Sequence, residues 1–103
     1  MSYMIPKHEK YTNAMVSKSK NMLVPHYLMA SYAYYREDNP IYSDAYFDNM
    51  AKVLLKNYDD IEHIHKEHIS KGDLEAGSFL GKYPSRIPGA LANMRHAVGK
   101  MKI

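Results

Sequence analysis

The amino-acid sequence predicts a small all-α domain. The chain has 103 residues, which is the length of one domain, and no stretch alternates apolar and polar residues as a half-buried strand does. Apolar residues recur instead at helical spacing, and prolines and glycines separate the segments that contain them. We therefore expect a helix–proline corner–helix hairpin with additional C-terminal helices.

The first 20 residues differ in character from the rest. They are polar, with one proline and scattered lysines, and only one acidic residue interrupts them. We expect a flexible basic segment over 1–20, with a short helix over about 11–18 at most. A single helical domain should then occupy 21–103.

The first helix of the hairpin is expected to run from Met22 or Pro25 to Glu37. Proline is tolerated in the first turn of a helix, where its missing N–H has no partner to lose. The residue before a proline avoids the helical conformation, so the helix should stop by Asn39, next to Pro40.

The second helix is expected over Asp44–Tyr58. Ser43 is a good N-cap, and Asp44 places a negative charge in the first turn, where the helix dipole favours it. Apolar residues at helical spacing predict its buried face: Phe47, Met50, Ala51, Leu54 and Tyr58.

Three more segments complete the expected fold. They are a third helix over about 60–70 ended by 71–73, a glycine-rich loop over 72–87 with at most a turn of helix, and a last helix over about 88–101. We expect these apolar residues to point inward: Ile61, Ile64, Ile69, Leu91, Met94 and Val98.

The composition excludes several classes of protein. The absence of cysteine removes disulfides and thiolate metal sites. No apolar run approaches a membrane span, and the N-terminus lacks a signal-peptide core, so we expect a cytoplasmic protein without a membrane partner. The cluster of His63, His65 and His68 lacks the paired E-x-x-H motifs of a di-iron site and the H-E-x-x-H of a zinc protease. We expect no metal.

Catalytic motifs are missing as well. Neither a G-x-S-x-G nucleophile turn nor a G-K-[ST] phosphate loop occurs, so we expect no catalytic residues. The stretch GKYPSR presents Lys82, Tyr83 and Arg86, which could hold a phosphate. Residues 76–103 contain no acid, so Lys82, Arg86 and Arg95 are the candidates for nucleic-acid contact. A solvated basic loop explains the same residues without a ligand.

The corner between the hairpin helices carries a second candidate site. Asp44 and Asp48 lie one helical turn apart, Phe47 lies beside them, and Tyr34 and Tyr35 end the preceding helix. We expect the rings and carboxylates to converge around a common hollow. Flat rings and carboxylates suit a cationic or hydroxyl-rich ligand. A helix cap with corner packing is the alternative that needs no ligand.

The stretch YYREDNPIYSDAYFDNMAKVLL, residues 34–55, resembles the N-terminal Ia subdomain of bacterial NAD-dependent DNA ligases, and the resemblance implies a ligase-like unit over about 24–58. That family has a tyrosine-ended helix, then D-x-P-x-[IV]-[ST]-D-x-x-Y-D, then a leucine-rich helix. The residues that match are Tyr34, Tyr35, Asp38, Pro40, Ser43, Asp44, Asp48 and Leu54. The resemblance implies a site for nicotinamide mononucleotide (NMN) or the NMN half of NAD, with Tyr34 and Tyr35 stacking on nicotinamide and Asp44 and Asp48 binding its polar edge and ribose.

Two departures from the family shape the functional expectation. Phe47 stands where the family has tyrosine, so a ring is kept and a hydroxyl is lost. The K-x-D-G motif that accepts the adenylyl group is absent from the sequence. We therefore expect a non-catalytic NMN- or NAD-binding module. It also resembles small stand-alone ligase-related proteins of phages, which implies a role in phage DNA metabolism in the host cytoplasm.

Two other functions fit the same residues. The first is an interaction protein that kept the ligase-like fold without the nucleotide, using its tyrosines and methionines to contact a protein or a second copy, or its basic ends to contact DNA. The second is an enzyme component that completes a split ligase. Only Asp44 and Asp48 support this alternative.

Overall fold

The computed structural model describes residues 4–63, 65–76 and 81–101 and confirms the all-α class. Within these ranges the chain forms α-helices and short 3-10 turns and no strand. No helix in the described ranges is long and apolar enough to cross a membrane. The helices are α1 (Met4–Lys18), α2 (Leu23–Tyr35), α3 (Asp44–Asn57), α4 (Lys71–Ala76) and α5 (Ile87–Gly99).

Helix α2 is the centre of the fold. It contacts α3 and α5, and its middle is buried on all sides, as expected for a helix surrounded by others. Pro25 lies in its first turn, as the sequence predicts. A 3-10 turn over Lys20–Met22 leads into it, and the Ser19 hydroxyl caps that turn by accepting from the Asn21 N–H.

The corner after α2 forms as predicted, with the helix ending before Asn39. The Asn39 N–H donates to the Ala33 carbonyl over 2.9 Å, and Asp38 adopts a left-handed φ of 52°. Aspartate is one of the few residues besides glycine that tolerate this conformation. An ion pair between Glu37 and Arg95 of α5, with a further Arg95 hydrogen bond to the Asn39 carbonyl, holds the corner against the last helix.

Helix α3 begins as the sequence predicts. The Ser43 hydroxyl accepts a hydrogen bond from the Tyr46 N–H over 3.2 Å, which makes Ser43 the N-cap. Met50, Ala51 and Leu54 are buried, whereas Phe47 is half-buried. The predicted face of this helix is therefore confirmed.

The N-terminal segment differs from the prediction of a flexible stretch over 1–20. Residues Met4–Lys18 form a continuous helix in which His8 and Thr12 are buried. The Thr12 hydroxyl lies 2.7 Å from the Tyr42 hydroxyl and 3.3 Å from Nδ1 of His26. The buried side chains of this helix are polar. An argument from the spacing of apolar residues therefore does not detect that the helix packs against the core.

Further hydrogen bonds fix α1 to the start of α3. The Glu9 carboxylate accepts from the Ser43 N–H over 2.8 Å, and the Tyr46 hydroxyl donates to Oδ1 of Asn13 over 2.6 Å. Helix α1 therefore belongs to the domain, which extends N-terminal to the predicted boundary at residue 21.

The predicted helix over 60–70 is wrong. The chain forms 3-10 turns at Tyr58–Asp60 and Lys66–His68, and the residue after each turn, Ile61 and Ile69, has an extended backbone. Two tertiary hydrogen bonds take up backbone groups that a helix would use, from Glu62 N–H to Asn21 Oδ1 and from the Tyr58 hydroxyl to the Ile69 carbonyl. Ile61 and Ile69 are nevertheless buried as predicted, and Ile64 lies outside the described residues.

Residues 71–73 begin a helix and do not end one. The Ser70 hydroxyl accepts from the Asp73 N–H, and an Asp73 carboxylate oxygen accepts from the Ser70 N–H, over 3.1 and 3.0 Å. This reciprocal pair is a capping box with aspartate in place of glutamate, and it starts α4. The predicted loop is thus interrupted by a helix, and residues 77–80 lie outside the described part.

Helix α5 matches its prediction closely. It begins at Ile87, with Pro88 in its first turn, and buries Leu91, Met94 and Val98. These side chains pack toward α2 and α1 and close the core on the side opposite α3.

The two buried histidines predict that acid destabilises the fold. Burial lowers the pKa of His26 from 6.5 to about 4, and burial also lowers the pKa of His8, helped by nearby Arg95 and opposed by a hydrogen bond to the Met4 carbonyl. Because the unfolded chain takes up these protons more readily, the stabilisation is complete above pH 6.5 and is lost as the pH falls toward 4. His26 alone accounts for up to about 3 kcal/mol.

Urea unfolding between these two pH values measures the effect. His26→Gln should be less stable at neutral pH and show a flatter pH dependence, whereas His96→Gln, at an exposed position, should keep the dependence of the unchanged chain. An unaltered slope in His26→Gln would contradict this account.

Candidate functional site

The predicted tyrosine pair lies at the C-terminal end of α2 and faces solvent. Tyr34 and Tyr35 are 43% and 36% exposed and are the large apolar side chains that remain exposed in the described chain. Their rings meet edge to face with centroids 4.9 Å apart. Exposed aromatic rings with polar tips are typical of contact surfaces.

A column of three parallel rings positions Tyr34. The Phe47 ring lies between Tyr27 and Tyr34, with centroid distances of 5.3 and 6.1 Å and planes within 1° and 4° of parallel. Tyr27 is fully buried, Phe47 is half-buried and Tyr34 is exposed, so the column runs from the core to the surface. Phe47 thereby does what the sequence predicts for a ring without a hydroxyl: it packs.

Both predicted carboxylates are exposed on α3, on either side of Phe47 in the sequence. Asp44 lies in the first turn and has no ion pair within the described chain, whereas Asp48 lies 3.2 Å from Nζ of Lys52. The carboxylate of Glu9 binds the N–H of Ser43 next to Asp44. The negative charge along this edge therefore comes from two helices, α1 and α3.

Where the sequence predicts a hollow, the described side chains beside Tyr34 and Phe47 leave no space for a ligand. The space beside Tyr34 does not admit a water molecule. The residues that line this space are Ala30, Tyr34, Pro40, Ile41, Tyr42 and Phe47. Phe47 fills the space by stacking on Tyr34, and a hydrogen bond from α1 holds Tyr42 at its base. The candidate site is consequently an aromatic and acidic surface and not a pocket.

The three basic candidates have different surroundings. Lys82 lines an open groove of about 300 Å³, Arg86 is exposed at the start of α5, and Arg95 is occupied by Glu37 and the Asn39 carbonyl. The prediction of one nucleic-acid surface with Arg95 as a member is therefore not supported by its position, because its charge is neutralised at the corner.

The groove at Lys82 and Tyr83 also contains two residues that the sequence argument did not connect with this loop, Tyr32 and Arg36. The rings of Tyr32 and Tyr83 meet at 89° with centroids 5.3 Å apart, and the Arg36 guanidinium lies 5.2 Å from the centre of the Tyr83 ring. Burial raises the pKa of Tyr83 to about 12, partly offset by Arg36. The spacing of Tyr32 and Arg36 at i, i+4 on α2 was the available signal.

The histidine cluster does not form a metal site in the described ranges. The rings of His63, His65 and His68 are neighbours, with centroids 5.3 and 5.9 Å apart, but no three potential ligands in those ranges are arranged to hold a metal ion. The His63 Nδ1 accepts from the His65 N–H, which uses one ligand atom. Partial burial and neighbouring histidines lower the pKa values of His63 and His65.

Comparisons with protein-family models, with curated proteins and with solved structures found no match for this chain. The resemblance to the ligase Ia subdomain thus stays a prediction carried by residues 34–55. The geometry of the two surfaces at the end of α2 is the basis for a functional proposal.

The ring column makes a prediction about stability. Phe47→Ala should lower the free energy of unfolding by about 2 kcal/mol, because it removes two ring contacts from a half-buried position. Phe47→Tyr keeps the ring and serves as the matched control, with an expected change of about 0.5 kcal/mol or less. Urea unfolding measures both, and equal stability of the two variants would contradict a structural role for the column.

Proposed function

We propose that this chain is a non-catalytic binding module for a nicotinamide nucleotide, NMN or the NMN half of NAD. The proposed contact surface consists of Tyr34, Tyr35, Asp44 and Asp48. The observation that supports it is the ring column, because it presents a fixed and exposed tyrosine ring next to a helix with two exposed carboxylates.

The chemistry of the surface fits an oxidised nicotinamide. Its pyridinium ring is flat and cationic, so it is attracted both to aromatic faces and to negative charge. Asp44, Asp48 and the nearby Glu9 supply that charge from two sides. The ribose hydroxyls are donors, and a carboxylate accepts them in charge-assisted hydrogen bonds.

The filled space behind Tyr34 sets the mode of binding. Since the space beside Tyr34 does not admit the ring, the nicotinamide would stack on the outer surface of the tyrosine pair and leave one side in water. A ligand that buries little of its surface gains little free energy to offset the entropy lost on binding. The dissociation constant should therefore be on the order of 1 mM. Phe47 contributes by holding Tyr34 in place and not by direct contact.

Titration of the ¹⁵N-labelled chain with NMN tests the proposal. Amide shifts should concentrate at the end of α2 and the start of α3. Asp44→Asn combined with Asp48→Asn should weaken binding about tenfold, because charge-assisted hydrogen bonds become neutral ones. Asp59→Asn combined with Asp60→Asn removes the same charge from an exposed turn elsewhere and should change affinity by less than about twofold.

The charge state of the ligand provides a second comparison. Reduced NMN has a neutral ring and should bind more weakly than oxidised NMN to the unchanged chain. If amide shifts are absent up to about 10 mM NMN, or if both double variants lose affinity equally, the proposal is wrong.

A further inference from the structure

We propose that the groove between the end of α2 and the start of α5 binds a nucleoside phosphate, either free or within a single strand of nucleic acid. Tyr32, which lines the groove, and Tyr34 are two residues apart, which is about 200° around a helix, so the groove faces away from Tyr34. Tyr35 adjoins both surfaces, because it is close enough to Tyr83 to raise the pKa of that residue. The substitutions that test the groove leave Tyr35 and both aspartates unchanged. The inference therefore goes beyond the proposed function and stands or fails separately from it.

Unpaired positive charge is the first argument for this groove. Arg36 and Lys82 both line it, and neither forms an ion pair within the described ranges. Four basic residues in those ranges are paired with carboxylates, and they are Lys20, Lys52, Lys71 and Arg95. Others, such as Lys56 and Lys100, are also without an ion pair there, but Arg36 and Lys82 differ from them because both line the same groove. None of the described residues that line the groove is acidic. Two unpaired cations that face one open space suit a phosphate group.

The aromatic walls are the second argument. Tyr32 and Tyr83 are perpendicular to within 1°, so their rings form a corner, with Arg36 over one of them. A flat base in this corner would stack on the face of one ring and would point its edge at the other ring. Both contacts are favourable for aromatic pairs, and they do not depend on which base is present.

The size and floor of the groove are the third argument. Its volume of about 300 Å³ lies at the lower end of small-ligand sites and is enough for one nucleotide unit. Pro84 and Pro88 supply rigid apolar surface for a sugar, and Ser85 adds a hydroxyl. Basic and aromatic residues combined with an open side are the arrangement used by proteins that bind single strands without sequence preference.

Fluorescence anisotropy with a labelled oligothymidylate of about twelve nucleotides tests the charged part of the groove. Arg36→Gln combined with Lys82→Gln should weaken binding about tenfold and reduce the slope of log affinity against log salt by about 1.4, the loss of two phosphate contacts. Lys56→Gln combined with Lys100→Gln is the control, because it removes the same charge from exposed positions outside the groove. It should weaken binding by less than about threefold.

Variants at Tyr83 test the aromatic part. Tyr83→Phe keeps the ring and should bind as the unchanged chain does, whereas Tyr83→Leu should lose about tenfold in affinity. Circular dichroism and thermal unfolding of both variants establish that the fold is retained. Competition by AMP and by inorganic phosphate then identifies the source: displacement by AMP at similar concentrations assigns a free nucleotide, and displacement only by unlabelled strand assigns nucleic acid.

Four results would overturn this inference. Three of them are no binding of the labelled strand by the unchanged chain up to about 1 mM, equal losses in the two charge-removal pairs, and full affinity in Tyr83→Leu. Displacement by inorganic phosphate as effective as by AMP has the same meaning, because it shows that the base contributes nothing. None of these results bears on NMN binding, which depends on Asp44 and Asp48.

Discussion

The stacking of Phe47 between Tyr27 and Tyr34 is the contact on which the arrangement of this molecule depends. The three rings connect α3 to two turns of α2, so they fix how the hairpin closes across Pro40. The same contact fills the space behind the exposed tyrosines. The stacking of Phe47 thus both holds Tyr34 at the surface and fills the pocket that the tyrosine rings would otherwise line.

Buried polar contacts complete what the ring column begins. Thr12 of α1 meets Tyr42 of the corner and His26 of α2 in the core, which joins three parts of the chain at one point. These hydrogen bonds fix how the three parts are oriented, whereas the methionine and alanine side chains of the core pack without strong geometric preference. Because one member is a histidine held neutral by burial, the contact also couples the fold to pH.

The end of α2 divides the surface into two regions of opposite charge. On one side, Tyr34 stacks on Phe47, which lies between Asp44 and Asp48 in the sequence of α3, and on the other side Tyr32, Arg36 and Lys82 line one groove. The two regions share one helix and one aromatic character, but the charged side chains that accompany them have opposite signs. This separation is why the nicotinamide proposal and the nucleoside phosphate proposal can be tested by independent substitutions.

Local signals in the sequence determined the all-α class, the stop at Asn39–Pro40, the cap at Ser43 and the buried faces of α3 and α5, because each depends on residues within a turn or two. They also predicted that the candidate tyrosines and aspartates lie on the two helices joined by a short corner, which the helix bounds confirm. Only the tertiary structure decided that α1 is packed, that 61–69 is not one helix, and that the hollow is filled. Each of these depends on a partner distant in sequence: Tyr42 for Thr12, Asn21 for Glu62, and Tyr27 for Phe47.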